Sequence, residues 1–281
     1  MPAATRSTTA TVEETAAATA PEGGYAFDND SPHATEQHRC LAAAHDRITT
    51  DALARTGVGP GWDCLEAGAG GGSVARWLAR RTAPGGSVLA TDVKPAHIPA
   101  QAGLEVRRHD IVRDPLPDGG FDLVHSRLVL THLPERRAVL RRLLRALRPG
   151  GHLQLEEFDI DYAPVLLAPD ERTRAGYEAF RAAKGRALRA AGADPSWGRT
   201  CAEDLRAAGF TAIDPVPHLV PWRADSPGLQ LQLHHTYHLR AQLLEHGLTE
   251  EELLAARDAM RHPGFRAASC VLYCVQARRP E

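Results

Sequence analysis

Two kinds of segment alternate along the chain: short runs of consecutive apolar residues, and longer stretches whose apolar positions recur every three to four residues. From just after Pro32 to Arg55, Leu41, Ala44, Ile48 and Leu53 share one helical face, and Gly57, Gly59 and Gly61 end it. The run Trp62–Leu65 predicts a first strand, closed by Glu66 and a glycine cluster. An amphipathic helix follows, with Val74, Trp77 and Leu78 on one side and Arg76, Arg80 and Arg81 on the other. Further strands are expected at Ser87–Thr91, Leu104–Arg108 and Phe121–His125, each entered through a turn. In the next helix Leu140, Leu143, Leu144 and Leu147 predict a buried stripe opposite Arg137, Arg141, Arg145 and Arg148, whose arginines read as a solvated face. Arg148-Pro149-Gly150-Gly151 stops that helix and leads to a strand at His152–Phe158.

Strands separated by helices in this rhythm predict an α/β fold, with a parallel sheet covered by helices on both faces. The remainder reads as helical segments at 170–192, 203–208, 229–246 and 250–261, with strands at 211–219 and 269–276. Residues 1–22 hold almost no large apolar side chains and are expected to be a disordered tail. Residues 23–57 would then form an N-terminal helical cap on a domain spanning 58–281.

Composition narrows the classes. Hydrophobic residues make up 43% of the 281 and charged residues 24%, enough for a core. A formal charge of −2 gives no global attraction for nucleic acid or an anionic membrane. Cys40, Cys64, Cys201, Cys270 and Cys274 are odd in number and scattered. Cys270 and Cys274 lie about 13 Å apart if they share a strand, too far for a disulfide. This pattern, without an apolar leader or membrane-length run, predicts a soluble cytoplasmic protein.

The candidate chemistry starts at Glu66-Ala67-Gly68-Ala69-Gly70-Gly71-Gly72-Ser73. Glycines at a strand-to-helix turn let backbone approach a ligand, and the helix N-terminus offers unpaired N–H groups. A dinucleotide fingerprint counted from Gly68 would need Gly or Ala where Ser73 stands. Glu66, at the strand end, would repel a pyrophosphate but suits an ammonium group. Asp92, closing the second strand, can take both hydroxyls of a ribose.

These residues resemble the first motif and ribose-binding acid of the class I S-adenosylmethionine-dependent methyltransferases. Arg108-His109-Asp110-Ile111 resembles that family's adenine-contacting segment, and Leu147-Arg148-Pro149-Gly150-Gly151 its late turn. The form FDLVHSRLVLTHLPER with LRPGGHLQLEEFD is most similar to actinobacterial small-molecule enzymes of the ubiquinone-type subgroup. The resemblance implies a Rossmann-like doubly wound sheet of seven mostly parallel strands. Helical substrate-side segments would fall at about 165–195 and 228–262. It also implies S-adenosyl-L-methionine as cofactor and a small organic metabolite, those of secondary metabolism included, as acceptor. By it, Glu66, Gly68 and Gly70 would hold the methionine half and Asp92 the ribose. Val93 would lie against the adenine, Asp110 and Ile111 would meet its edge, and Ser126 would bring a backbone carbonyl near the amino group.

For catalysis, His125 at the fourth strand's end reads as a general base, a cofactor-orienting group or a strand-end filler. Glu156 and Glu157 alternate across their strand, so one is expected to contact substrate and the other to pair with an arginine or be exposed. Tyr25, Trp197, His234 and His235 are further candidates for the substrate side. His234 and His238 have the spacing of a helix-borne metal pair, but no Cys or acid in sequence completes the site. The carboxylate that metal-dependent catechol methylation wants is replaced by His125-Ser126, so no metal is expected. Competing readings are a nicotinamide-dependent oxidoreductase, and a cofactor-binding protein on the same fold that does no methylation. A homo-oligomer is compatible with the sequence.

Overall fold

The structure, a computed structural model, describes residue 27 and residues 29–281. The expected tail at 1–22 and Tyr25 lie outside the described residues. Five strands come first, β1 (Asp63–Ala67), β2 (Ser87–Asp92), β3 (Leu104–Arg108), β4 (Phe121–Arg127) and β5 (Leu147–Asp159), with α-helices only between β1 and β2 and between β4 and β5, so the expected strand–helix rhythm holds at two of the four connections. They pair in parallel in the order β3-β2-β1-β4-β5. Two later strands, β7 (Thr211–His218) and β10 (Val271–Arg278), complete a seven-stranded sheet. β10 runs antiparallel between β5 and β7.

The helices are α1 (Ala34–Arg55), α2 (Ser73–Thr82), α3 (Arg136–Ala146), α4 (Glu171–Ala190), α5 (Cys201–Ala208), α6 (Pro227–His238), α7 (Arg240–Glu245) and α8 (Glu250–Arg261). On one face of the sheet Cys64, Val88 and Leu123 pack with Val74 and Leu78 of α2 and Leu53 of α1. On the other, Leu65, Val124, Leu153 and Leu155 meet Leu140 and Leu143 of α3 and Leu205 of α5. A separate apolar cluster joins Tyr177 and Phe180 of α4 to Leu229, Leu253 and Met260.

Three short strands escaped the sequence pattern: β6 (Val165–Leu167), β8 (Pro221–Arg223) and β9 (Arg266–Ala268), which form a second sheet in the order β6-β9-β8. Residues 165–170, expected to open a helical segment, therefore begin as a strand. Helix α4 starts only at Glu171, where the Asp170 carboxylate accepts the Thr173 N–H. Strand β5 also begins earlier than expected, at Leu147, with a register shift against β4 between Phe121 and Leu123. Arg148 there binds Asp63 Oδ2 at 2.8 Å and also Asp122, joining the starts of β1 and β4. Among the described residues, no helix is long and apolar enough to cross a membrane.

Candidate active site

The loop from β1 to α2 is pinned to the end of β2. Gly68 N–H and Ala69 N–H both donate to the Thr91 carbonyl, at 2.8 and 2.9 Å. Gly70 N–H donates to Asp92 Oδ2 at 2.9 Å, and Lys94 N–H to Asp92 Oδ1 at 2.9 Å. Gly68 has φ +74, and a Cβ built on it would lie 2.2 Å from Val129 Cγ2. Only glycine fits, because the loop after β4 rests directly on it. Residues 29–38 cross the same loop. Asn29 Nδ2 donates to Asp92 Oδ1 at 3.5 Å, the His97 imidazole meets the Asn29 carbonyl at 2.7 Å, and Lys94 Nζ reaches Asp30 at 2.5 Å. Val93, beyond Asp92, is 48% exposed.

Asp110 forms an Asx-turn: its Oδ1 accepts the Val112 N–H at 2.9 Å. Ile111 is buried in the core against α3. Ser126 is buried and its hydroxyl donates to the Ala67 carbonyl at 3.1 Å, across the β1–β4 pair.

Glu66, His125 and Glu156 occur on one face of three adjacent strands, and α1 seals them from water. His125 Nδ1 donates to Glu66 Oε2 at 2.7 Å. Its Nε2 stands 3.7 Å from Glu156 Oε1, too long for a hydrogen bond but close enough for charge attraction. Burial alone would lower the imidazole, yet the two carboxylates outweigh it and raise its pKa to about 9. Burial would raise Glu156, but the nearby His125 charge, Arg127 and the Thr49 hydrogen bond hold its carboxyl down to about 2. Thr49 Oγ1 donates to Glu156 Oε2 at 2.7 Å and receives Arg127 Nη1 at 2.7 Å. Gln154 Nε2 donates to Glu156 Oε1 at 2.6 Å. A doubly paired, protonated imidazole with no exposed surface has no free lone pair for a base. The geometry fits the other readings of His125, a strand-end group that fixes Glu66.

Neither glutamate of β5 is exposed, and neither faces an open pocket, contrary to expectation. Glu157 points to the opposite face and accepts the Leu130 N–H at 2.8 Å. Burial, opposed by bonds from three backbone N–H groups and by Arg136, pushes its carboxyl up to about 8. Its neighbour is thus the backbone of a 3-10 turn, Leu130–His132, rather than an arginine. Trp197 is also corrected. Its indole is 2% exposed within the core, donates to Asp204 Oδ2 at 2.9 Å and lies under the Arg136 guanidinium. It follows the 160–195 segment back onto β5, a long-range packing that sequence spacing does not carry.

The histidines of α6 separate. His235 is buried, with Nδ1 3.0 Å from Lys184 Nζ. Lys184 also donates to Gln232 Oε1 at 2.8 Å. The Phe27 ring lies 4.6 Å from His235 and 6.1 Å from His132. His234 instead meets α1, and the ligand-type atoms of Glu36, Cys40 and His234 lie within 4.8 Å of one another. The expectation that no Cys or acid approaches His234 is therefore corrected. Arg39 holds the Glu36 carboxylate at 2.8 Å, and burial raises the Cys40 thiol, so the trio reads as a contact between α1 and α6. Lys184, His132 and Asn29 were missed from sequence. The one available signal was that Lys184 and Lys94 are the only lysines in an arginine-rich chain.

This sheet order, with one reversed strand between two others and a glycine loop folded onto the acid ending β2, defines a Rossmann-like fold. Residues 65–155 match the methyltransferase domain family. A methyltransferase, str2, from Strobilurus tenacellus is 37% identical over 148 residues, 51% of each chain. A ubiquinone/menaquinone biosynthesis C-methyltransferase, UbiE, from Cupriavidus taiwanensis is 29% identical over 164 residues, 55% of this chain and 64% of its own. The solved [4+2]-cyclase SpnF superposes with a TM-score of 0.52 at 20% identity, covering 84% of this chain and 80% of that one. These likenesses are to methyltransferases over about half of the chain, and to the fold they share over most of it. The chain spans about half the length of the curated relatives it matches first.

Proposed function

We propose that the protein transfers the methyl group of S-adenosylmethionine to a small organic metabolite. The observation that carries this reading is the closure of the glycine loop on Asp92, with Gly70 and Lys94 N–H groups holding the carboxylate at 2.9 Å. A carboxylate so held keeps one lone pair on Oδ2 for a ribose hydroxyl, and a second on Oδ1 if the ligand displaces Asn29 Nδ2 at 3.5 Å. Glu66 fits the ammonium end of such a ligand: its Oε2 is bound by His125, while Oε1 accepts no hydrogen bond among the described residues. The exposed side chain of Val93 suits one adenine face, with Asp110, the Ile111 N–H and the Ser126 carbonyl toward its edge. Gly68 and Gly70 leave room for the methionine half.

Bound there, the cofactor supplies a methyl group on a sulfonium, whose leaving group is neutral. The chain's residues then have two tasks, alignment and exclusion of water. His125 fixes Glu66, and Glu156 fixes His125, so both act through position. Glu157 holds the turn that carries His132. The five cysteines are free and buried, in keeping with a reduced, cytoplasmic location. Calorimetry with S-adenosylhomocysteine tests the reading. Binding by the wild type and at least about tenfold weaker binding by Asp92→Ala are expected. No binding by wild type, or full binding by the variant, refutes it.

The fold shared with a cyclase favours a second reading, cofactor binding without methylation. Incubation with methyl-labelled cofactor and a metabolite panel separates the two, since only the first moves label to product.

A further inference from the structure

Lys184 is buried in the wall between α4 and α6, away from the cofactor loop's own residues. Two of its ammonium protons go to Gln232 Oε1 and His235 Nδ1, at 2.8 and 3.0 Å. Both acceptors are neutral groups. Among the described residues no carboxylate pairs with it. The charged and titratable groups nearest it are Arg181 on its own helix, Cys270 ahead of β10, His235 on α6 and His132 on the turn after β4. Burial raises the Cys270 thiol, so it carries no charge near neutrality. A buried cation without a counter-charge is costly, and folded proteins ordinarily supply an anion.

Where this cation sits is informative. The turn bearing His132 starts one residue after Val129, whose side chain lies over Gly68. Phe27, which covers His235, stands two residues before the Asn29 that reaches Asp92. The lysine thus stands with rings whose chain neighbours, Val129 and Asn29, meet Gly68 and Asp92.

We infer that Lys184 binds the methyl acceptor through an acidic oxygen, and that the acceptor is a planar conjugated acid, a carboxylic acid or a phenol. Its oxygen takes the third ammonium proton, and its ring lies against Phe27, His132 and His235. Burial lowers the Lys184 amine to about 8, so it exchanges protons near neutrality. For a phenol, the neutral amine fraction takes the O–H proton on Nζ and becomes the ammonium that holds the oxygen, whose electron pair forms the new O–CH3 bond. The S–CH3 bond breaks onto a neutral sulfur, and Lys184 later returns its proton to water. A carboxylic acid arrives already ionised and needs only the ammonium. The inference rests on the methyl-transfer reading for this chemistry, and on the uncompensated cation alone for the binding of an acid.

Protein carrying ζ-15N-lysine gives two side-chain signals, assigned with Lys184→Gln. Benzoate and 4-nitrophenol serve as probes, with and without S-adenosylhomocysteine. Lys184 is expected to titrate well below Lys94, and at least one probe should raise its titration while leaving Lys94 unmoved. By calorimetry Lys184→Gln should bind that probe about tenfold or more weakly, with S-adenosylhomocysteine affinity unchanged. Response to benzoate alone identifies a carboxylic acid; response to 4-nitrophenol identifies a phenol. Lys184 titrating with Lys94, or moved by neither probe, overturns the inference; the titration is read on wild-type protein, and Lys94→Gln assigns the signals should Lys184→Gln not fold. Failure of S-adenosylhomocysteine to bind sinks the methyl-transfer reading instead, and the probe response without cofactor still decides the acid site.

Discussion

Replacing Glu156 by Gln removes one charge from the buried ladder at almost constant volume. The rise of His125 from 6.5 to about 9 corresponds to about 3 kcal/mol of stability. Glu66 keeps its 2.7 Å hydrogen bond in the variant, while Glu156 acts across 3.7 Å, so its share is the smaller, about 1 kcal/mol. An amide accepts on one side only. Either Thr49 or Gln154 therefore loses its acceptor, which costs about 1–2 kcal/mol more. The expected loss is about 2–3 kcal/mol, read from urea unfolding at pH 7. The pH dependence adds a second signature. A raised imidazole contributes fully below pH 6.5, and its contribution disappears as pH climbs through about 9. Wild type should lose stability over that window more steeply than Glu156→Gln. The depressed Glu156 contributes above pH 4.5 and loses its contribution as pH falls through about 2, a limb the variant lacks. A loss below about 1 kcal/mol with an unchanged alkaline slope would refute the charge argument.

Gly68→Ala should cost about 1–2 kcal/mol from its left-handed backbone alone, and more from the contact with Val129; adding Val129→Ala should recover the second part only, as thermal melts would show. Trp197→Ala should destabilise by about 3–5 kcal/mol while S-adenosylhomocysteine affinity stays constant, whereas a large loss of affinity without destabilisation would restore a pocket role. Burial lowers His45 and His132 to about 4, so the stability from keeping them neutral is present above pH 6.5 and lost as pH falls through about 4. The urea midpoint should fall across that window, and His45→Phe, which removes a buried ring with no hydrogen-bond partner at either nitrogen, should flatten the decline.

Periodicity located the strands that form the centre of the sheet, because each is a buried apolar run flanked by turn residues. It also found the leucine stripe of α3, whose Leu140 and Leu143 are fully buried, as is Leu147, which opens β5 instead of continuing the helix. It failed on α1. The apolar face named from sequence includes Ala44 and Ile48, which are only half-buried, whereas Gln37, His45 and Thr49 of the same helix are buried. Leu53 alone of the four apolar positions is fully buried, against α2 and the sheet; the rest of the helix docks on carboxylates and a guanidinium, which hydrophobic spacing does not record. Strands β6, β8 and β9 were too short for an alternation to register. At the site, Asp92 and the glycines were legible because backbone shape demands them locally. The burial of His125 and Glu156 depends on a helix about 80 residues or more earlier in the chain, and the isolation of Lys184 on what α6 fails to provide. Neither is a property of spacing.

Because α1 is attached through directional bonds, its seating is keyed rather than greased. A sliding helix would have to exchange Thr49, Gln154 and Arg127 contacts simultaneously, so small rotations have no intermediate resting place. Substitutions along this seam should consequently travel as a set among homologous chains, with Thr49, His125, Arg127, Gln154 and Glu156 inherited or replaced together. The front part of α1, which brings His38 against the glycine loop, is then registered to the nucleoside site by chemistry at the helix's far end.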